Sequence, residues 1–114
     1  MEQAPANVLD RAAALERLGF EKELFEELVQ SLVDRSRTML AEIDAALAGG
    51  DTVPVEALCH SIKGAAATLE ANALAAAAHR LELLAHSGDL VGAREASHEL
   101  VAALDALAGE LALS

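Results

Sequence analysis

Apolar residues recur every three or four positions along almost the whole chain, and the period-two alternation of a half-buried strand is nearly absent. That spacing predicts an all-α protein. A short first helix is expected at about 9–18, ending near Gly19, and a long second one from about Lys22 to Leu47. Leu24, Leu28, Leu32, Met39, Ile43 and Leu47 form the apolar stripe of the second helix. The stretch "GGDTVPVEAL" then reads as a stop and a start, with Gly49 and Gly50 ending one helix, Asp51 or Thr52 capping the next, and Pro54 in its first turn. A third helix is expected to about Ala71. Asn72 is placed to cap a fourth, which ends before "SGD", where Gly88 suits a left-handed position and Asp89 begins the next element. In the fifth helix Leu90, Ala93, Ser97, Leu100, Leu104, Leu107 and Leu111 are spaced three or four apart, as a bundle seam requires.

Four long helices with short connections imply an antiparallel up-down-up-down four-helix bundle over about 22–113, the first helix covering one end. A chain of 114 residues is long enough for one real core and too short for two, so 1–114 reads as a single domain. The seams are used up inside one bundle, which predicts a monomer.

Charge narrows the range of partners. The chain has 19 acidic residues against 8 basic ones, a formal charge of −11, and its only aromatics are Phe20 and Phe25. Nucleic acid needs a basic footprint and stacking platforms, and this sequence offers neither. No apolar run approaches the roughly 18 residues of a membrane span, and the acidic start "MEQAPANVLDR" lacks a signal-peptide pattern. A cytoplasmic protein is expected, with which the single cysteine, Cys59, is consistent.

Within "CHSIKGAAATLEA" a glycine interrupts an otherwise strongly helical run, at a cost of about 1 kcal/mol relative to alanine. Advancing each residue by about 100° puts Leu58, Ile62, Ala65 and Leu69 in a core-facing sector. His60 then lies nearly opposite, with Glu56, Lys63, Gly64 and Ala67 beside it on the outward side. An exposed neutral imidazole has one ring nitrogen free to attack a phosphoryl group presented by another protein. Gly64 and Ala67 keep the surface around it low, so that a recessed acceptor carboxylate can approach. Lys63 supplies a positive charge one turn away to offset that of a transferred phosphoryl group.

The run His60-Ser-Ile-Lys63-Gly64-Ala-Ala resembles the H-x-x-K-G signature of histidine-containing phosphotransfer (HPt) domains. "AAALERLGFEKELFEELVQ", "ALAGGD" and "LAAAAHRLELLAHSGD" extend the likeness over most of the chain. The resemblance implies a four-helix bundle whose exposed histidine carries phosphate between receiver-domain aspartates, or accepts it from a histidine kinase, including a hybrid kinase. Mg²⁺ is then expected on the receiver partner, with no cofactor held by this chain. Many members of the family have glycine at the position of Glu70; here Asn72 is expected to serve that turn instead. The family also tends to carry Glu or Gln at the position of Glu82, hydrogen-bonded to the phosphorylatable imidazole. Hairpin register supports that assignment, since a turn centred near Ala71 sets His60 level with Glu82 and Lys63 level with His79. His79 resembles a second histidine in the phosphotransfer domain of chemotaxis kinases, where it joins this network.

Other chemistries fare less well. His79, Glu82 and His86 share a helix face, but no second helix supplies further metal ligands. Glu82 has alternative partners in His79 and His86, His98 reads as a surface residue, and Leu83 falls outside its helix's apolar sector. Ser31 and Ser61 lack a base and an oxyanion arrangement, and no P-loop or Gly-rich nucleotide motif occurs. The expected function is therefore a phosphocarrier, not an enzyme. The rival reading is a non-catalytic helical adaptor that binds a signalling partner through the same face without being phosphorylated.

Overall fold

The computed structural model describes residues 7–19 and 21–113. Most of the N-terminal stretch on which the absence of a signal peptide was read, Met1 to Ala6, lies outside them, as do Phe20 and Ser114. The described residues form five helices and no strand: α1 (Arg11–Leu18), α2 (Lys22–Ala48), α3 (Val53–Thr68), α4 (Asn72–His86) and α5 (Leu90–Ala112). Helices α2 to α5 pack in a closed ring, each against the next and α5 back against α2. Polar pairs between neighbours fix the directions. Arg37 meets Asp105 and Arg94 donates to the Leu47 carbonyl between α2 and α5, while Glu56 meets His86 and His60 meets Glu82 between α3 and α4. In both pairs of helices numbers rise along one partner as they fall along the other, which is antiparallel packing.

The turns follow from local chemistry. Gly19, Gly50 and Gly88 adopt left-handed backbone at φ 67°, 76° and 75°, where a side chain would be strained. Asp89 caps α5 by accepting from the Gly92 N–H at 2.9 Å, and Asp51 accepts from the Val53 N–H at 3.0 Å at the start of α3. At the α3–α4 turn the left-handed residue is Glu70, φ 59°. Asn72 does not cap α4. It is the first helical residue, and its Nδ2 donates to Asn7 Oδ1. The turn is instead tied to α1. Asp10 N–H donates to the Glu70 carbonyl, Ala73 N–H to that of Asn7, and Arg17 binds both the Thr68 carbonyl and the Glu70 carboxylate. The first helix thus sits over the end of the bundle opposite the α2–α3 turn.

Phe25, Ile43, Ile62, Leu74, Leu81 and Leu100 are among the largest fully buried side chains, each contributing about 1.5–3 kcal/mol by leaving water. Two expected stripes are rotated. On α2 the buried line starts at Phe25, Val29 and Val33, whereas Leu24 is 43% exposed and Leu28 and Met39 are half-buried. On α3 it runs through Val55, Cys59, Ile62, Ala66 and Leu69, leaving Leu58 and Ala65 at its edge. In both cases the cause is the ring arrangement: a helix gripped on two flanks buries a wide arc, whose centre a count of leucines misplaces. On α3 the rotation moves His60, Lys63 and Glu56 toward α4 and turns Ser61, Ala65 and Thr68 toward α2. Gly64 is left on the crest between them.

Candidate functional site

His60 stands midway along α3 with its side chain 70% exposed. Its Nδ1 lies 2.7 Å from Glu82 Oε2 across the α3–α4 hairpin, and Lys63 Nζ donates to Glu82 Oε1 at 2.6 Å. One carboxylate, itself only 14% exposed, therefore binds two groups from the facing helix. The hydrogen bond from Lys63 holds the Glu82 carboxyl below its ordinary range. Burial opposes this shift and the bond from His60 assists it. An ionised carboxylate only accepts, so Nδ1 carries the imidazole proton and the lone pair falls on Nε2. Nε2 has no hydrogen-bond partner among the described residues.

The surface around the ring is bare. A Cβ built on Gly64 would meet no atom within 4 Å, so nothing in the packing of this bundle demands glycine there. Ala67, the next residue on that face, is exposed.

Of the residues expected to cluster with His60, Lys63 and Glu82 come together with it. Lys63 reaches Glu82, however, and not His79, with which the register set it level. A lysine side chain extends past its own level, and it finds a carboxylate there, whereas a histidine offers it no charge. His79 lies at the margin, its Nδ1 3.6 Å from Glu82 Oε1, beyond hydrogen-bond distance. His86 pairs with neither Glu82 nor His79; its Nδ1 meets Glu56 Oε1 at 2.9 Å. The same register rule that joins His60 to Glu82 joins these two, so the signal was present in the sequence. Among the described residues no group of three or more His, Cys, Asp or Glu side chains is set to hold a metal ion. Cys59, beside His60 in sequence, faces the core, where burial and then the nearby Glu82 charge push its thiol up to about 12. It is no nucleophile at neutral pH.

On the other side of Gly64 the α2–α3 junction opens into a groove of about 300 Å³. Leu28, Met39, Ile62 and Ala65 are among its walls, and Ser31, Ser61, Thr68 and Arg35 also line it. The sequence pattern did not reveal this feature, because Leu28 and Met39 count as core residues on a helical wheel. No helix among the described residues is long and apolar enough to cross a membrane.

Comparison with known proteins follows the same lines. A family model described as "Hpt domain" matches residues 27–111. The chain also resembles the crystal structure of histidine-containing phosphotransfer protein B (HptB) from Pseudomonas aeruginosa PAO1. The TM-score is 0.84 over 95% of this chain and 94% of that one, at 23% sequence identity, so this likeness speaks to the fold. No curated protein sequence matches the chain.

Proposed function

The chain belongs to the Hpt domain family, and from that premise we propose that it is a histidine phosphocarrier of a two-component phosphorelay, with His60 Nε2 as the atom that carries the phosphoryl group. One observation carries this reading: an exposed imidazole whose Nδ1 is committed to Glu82, beside a glycine that packing does not require.

The transfer needs little from this chain beyond position and charge. The Nε2 lone pair attacks the phosphorus of an aspartyl phosphate on a receiver domain. A nitrogen–phosphorus bond forms, the acyl oxygen–phosphorus bond breaks, and the aspartate leaves as a carboxylate. The Nδ1 proton stays between the imidazole and Glu82, which offsets the positive charge that the ring gains on attack. Lys63, anchored through Glu82, lies one turn away and offsets charge on the phosphoryl oxygens. The reverse reaction returns the group to an aspartate. Mg²⁺ and the reacting carboxylate belong to the receiver, and delivery and removal of phosphate both depend on partners, either a receiver domain or a histidine kinase. The carrier acts as a monomer in the cytoplasm. His79 joins this network only at its margin, 3.6 Å from the Glu82 carboxylate, and does not react.

The test is direct. The chain is incubated with a phosphorylated receiver domain and Mg²⁺, and its phosphate is tested for lability in acid and stability in base. Label on the wild type and none on His60→Gln is the expected result. Binding without labelling would make the chain an adaptor, and label on His60→Gln would move the site.

A further inference from the structure

Glu56 and His60 stand four residues apart on the outward side of α3, the spacing at which side chains of one helix meet. A carboxylate so placed threatens the nucleophile. Beside an imidazole it favours the doubly protonated ring, in which both nitrogens carry hydrogen and Nε2 has no lone pair to offer. A free Glu56 would accept from that Nε2–H and lie across the line of attack. In the structure Glu56 is engaged elsewhere, because its Oε1 is bound to His86 Nδ1 at 2.9 Å, across the hairpin from α3 to α4.

We propose that His86 is a positioning residue for phosphotransfer: by holding the Glu56 carboxylate to α4, it keeps Nε2 of His60 unprotonated and open to a partner's phosphoryl group. The inference rests on the phosphocarrier reading and gives a role to a histidine that the reaction itself leaves idle.

Three observations support it. The α3–α4 seam is built as successive rungs, Glu56 with His86 and then His60 and Lys63 with Glu82, so that both carboxylates of the seam are held by the opposite helix. Stability does not account for the first rung. Its two side chains are 44% and 73% exposed, and an ion pair so open to water contributes little to folding. The other charges near the ring are placed where they do not threaten Nε2. Lys63 and Glu82 bind each other, and His79 lies at the margin of that carboxylate. Arg35 of α2 lines the groove beyond the Gly64 crest, and Glu99 of α5 is paired with Arg80 on the α5 side of α4. Glu56 is then the group whose position decides whether the lone pair is free.

The experiment labels the full chain with phosphoramidate between pH 6 and 8.5, in the wild type, His86→Ala, Glu56→Gln and the double variant. In this reaction the Nε2 lone pair bonds to phosphorus, the phosphorus–nitrogen bond breaks, and ammonia leaves from the nitrogen-protonated donor. Thermal unfolding checks that each variant folds, and nitrogen NMR follows the protonation of the His60 ring without any phosphate present. His86→Ala is expected to move the titration of His60 up by about a few tenths of a pH unit, the scale of one such pair on a helix surface. Its labelling should fall about twofold at pH 6 and approach the wild type above pH 8, where the doubly protonated ring is absent from both. Adding Glu56→Gln should reverse both effects, and Glu56→Gln alone should label at least as fast as the wild type. A His86→Ala protein that titrates and labels like the wild type overturns the proposal, as does a loss that Glu56→Gln does not reverse. If phosphoramidate fails to label wild-type His60, the phosphocarrier reading falls, and the NMR titrations alone still decide whether His86 restrains Glu56.

Discussion

Glu82 and His60 face each other across the α3–α4 hairpin at 2.7 Å, and the same carboxylate holds Lys63 at 2.6 Å. A single side chain on α4 thus fixes both the tautomer of the imidazole and the place of the neighbouring cation. Removing it should undo both. Glu82→Ala is expected to lower the rate of phosphotransfer about tenfold or more, the scale on which groups that orient functional histidines act. Nitrogen NMR of the His60 ring should also show the proton no longer confined to Nδ1. A variant with unchanged rate and unchanged ring shifts would remove Glu82 from the account.

Acid should weaken the same contact. Because the folded pKa of Glu82 lies below its ordinary 4.5, the ionised form stabilises the fold. That contribution is whole above about 4.5 and disappears as pH falls through the lower, folded value. The stability gap between the wild type and Glu82→Gln, read from urea midpoints, is therefore expected to be present at pH 7 and to shrink below pH 4. A gap that widens in acid would contradict the shift.

Gly64 separates stability from function. Its position has open space for a Cβ, so Gly64→Ala should stabilise the protein by about 0.5–1 kcal/mol in chemical unfolding. Gly64→Leu, which raises the crest beside His60, should slow transfer from a receiver. A destabilised Gly64→Ala protein would mean that the bundle, and not the approach of a partner, requires the glycine.

Much of this was legible in the sequence, and the reason is periodicity. Five helices, the glycines that end three of them at 19, 50 and 88, and the pairing of His60 with Glu82 all follow from pattern along one chain or across one hairpin. What spacing could not give is the rotation of each helix in the ring. Leu24 and Leu58 are as apolar as Phe25 and Cys59, and only the flanking helices decide which of them is buried. The same blindness hid the groove at Leu28 and Met39, and the place of Arg35 on its wall. Nor did composition foresee that α1, through Asp10 and Arg17, would fasten the α3–α4 turn that Asn72 was expected to cap.

That turn makes its own prediction. Glu70 adopts φ 59° while bound to the exposed Arg17, and a side chain in left-handed backbone costs about 1–2 kcal/mol. Glu70→Gly should therefore be more stable than Glu70→Ala by about 1 kcal/mol, the reverse of their order inside a helix. Thermal and urea unfolding of the two variants test this, and an alanine variant equal to or better than glycine would rule out strain at the turn.

Cys59 should behave as core. With its thiol pushed up to about 12 by burial and the Glu82 charge, its thiolate fraction at pH 8 is about a thousandfold below that of an unshifted group. Thiol reagents should modify the native protein correspondingly slowly and the urea-unfolded protein at once. Rapid modification of the native chain would place Cys59 at the surface and reopen the packing of α3.

The central claim concerns one atom, and NMR of the phosphorylated chain observes it most directly. After reaction with a phosphorylated receiver, coupling between phosphorus and the ring nitrogens should place the phosphoryl group on Nε2 of His60, with the Nδ1 proton still present. Phosphate found on Nδ1, or on His79, His86 or His98, would contradict the account.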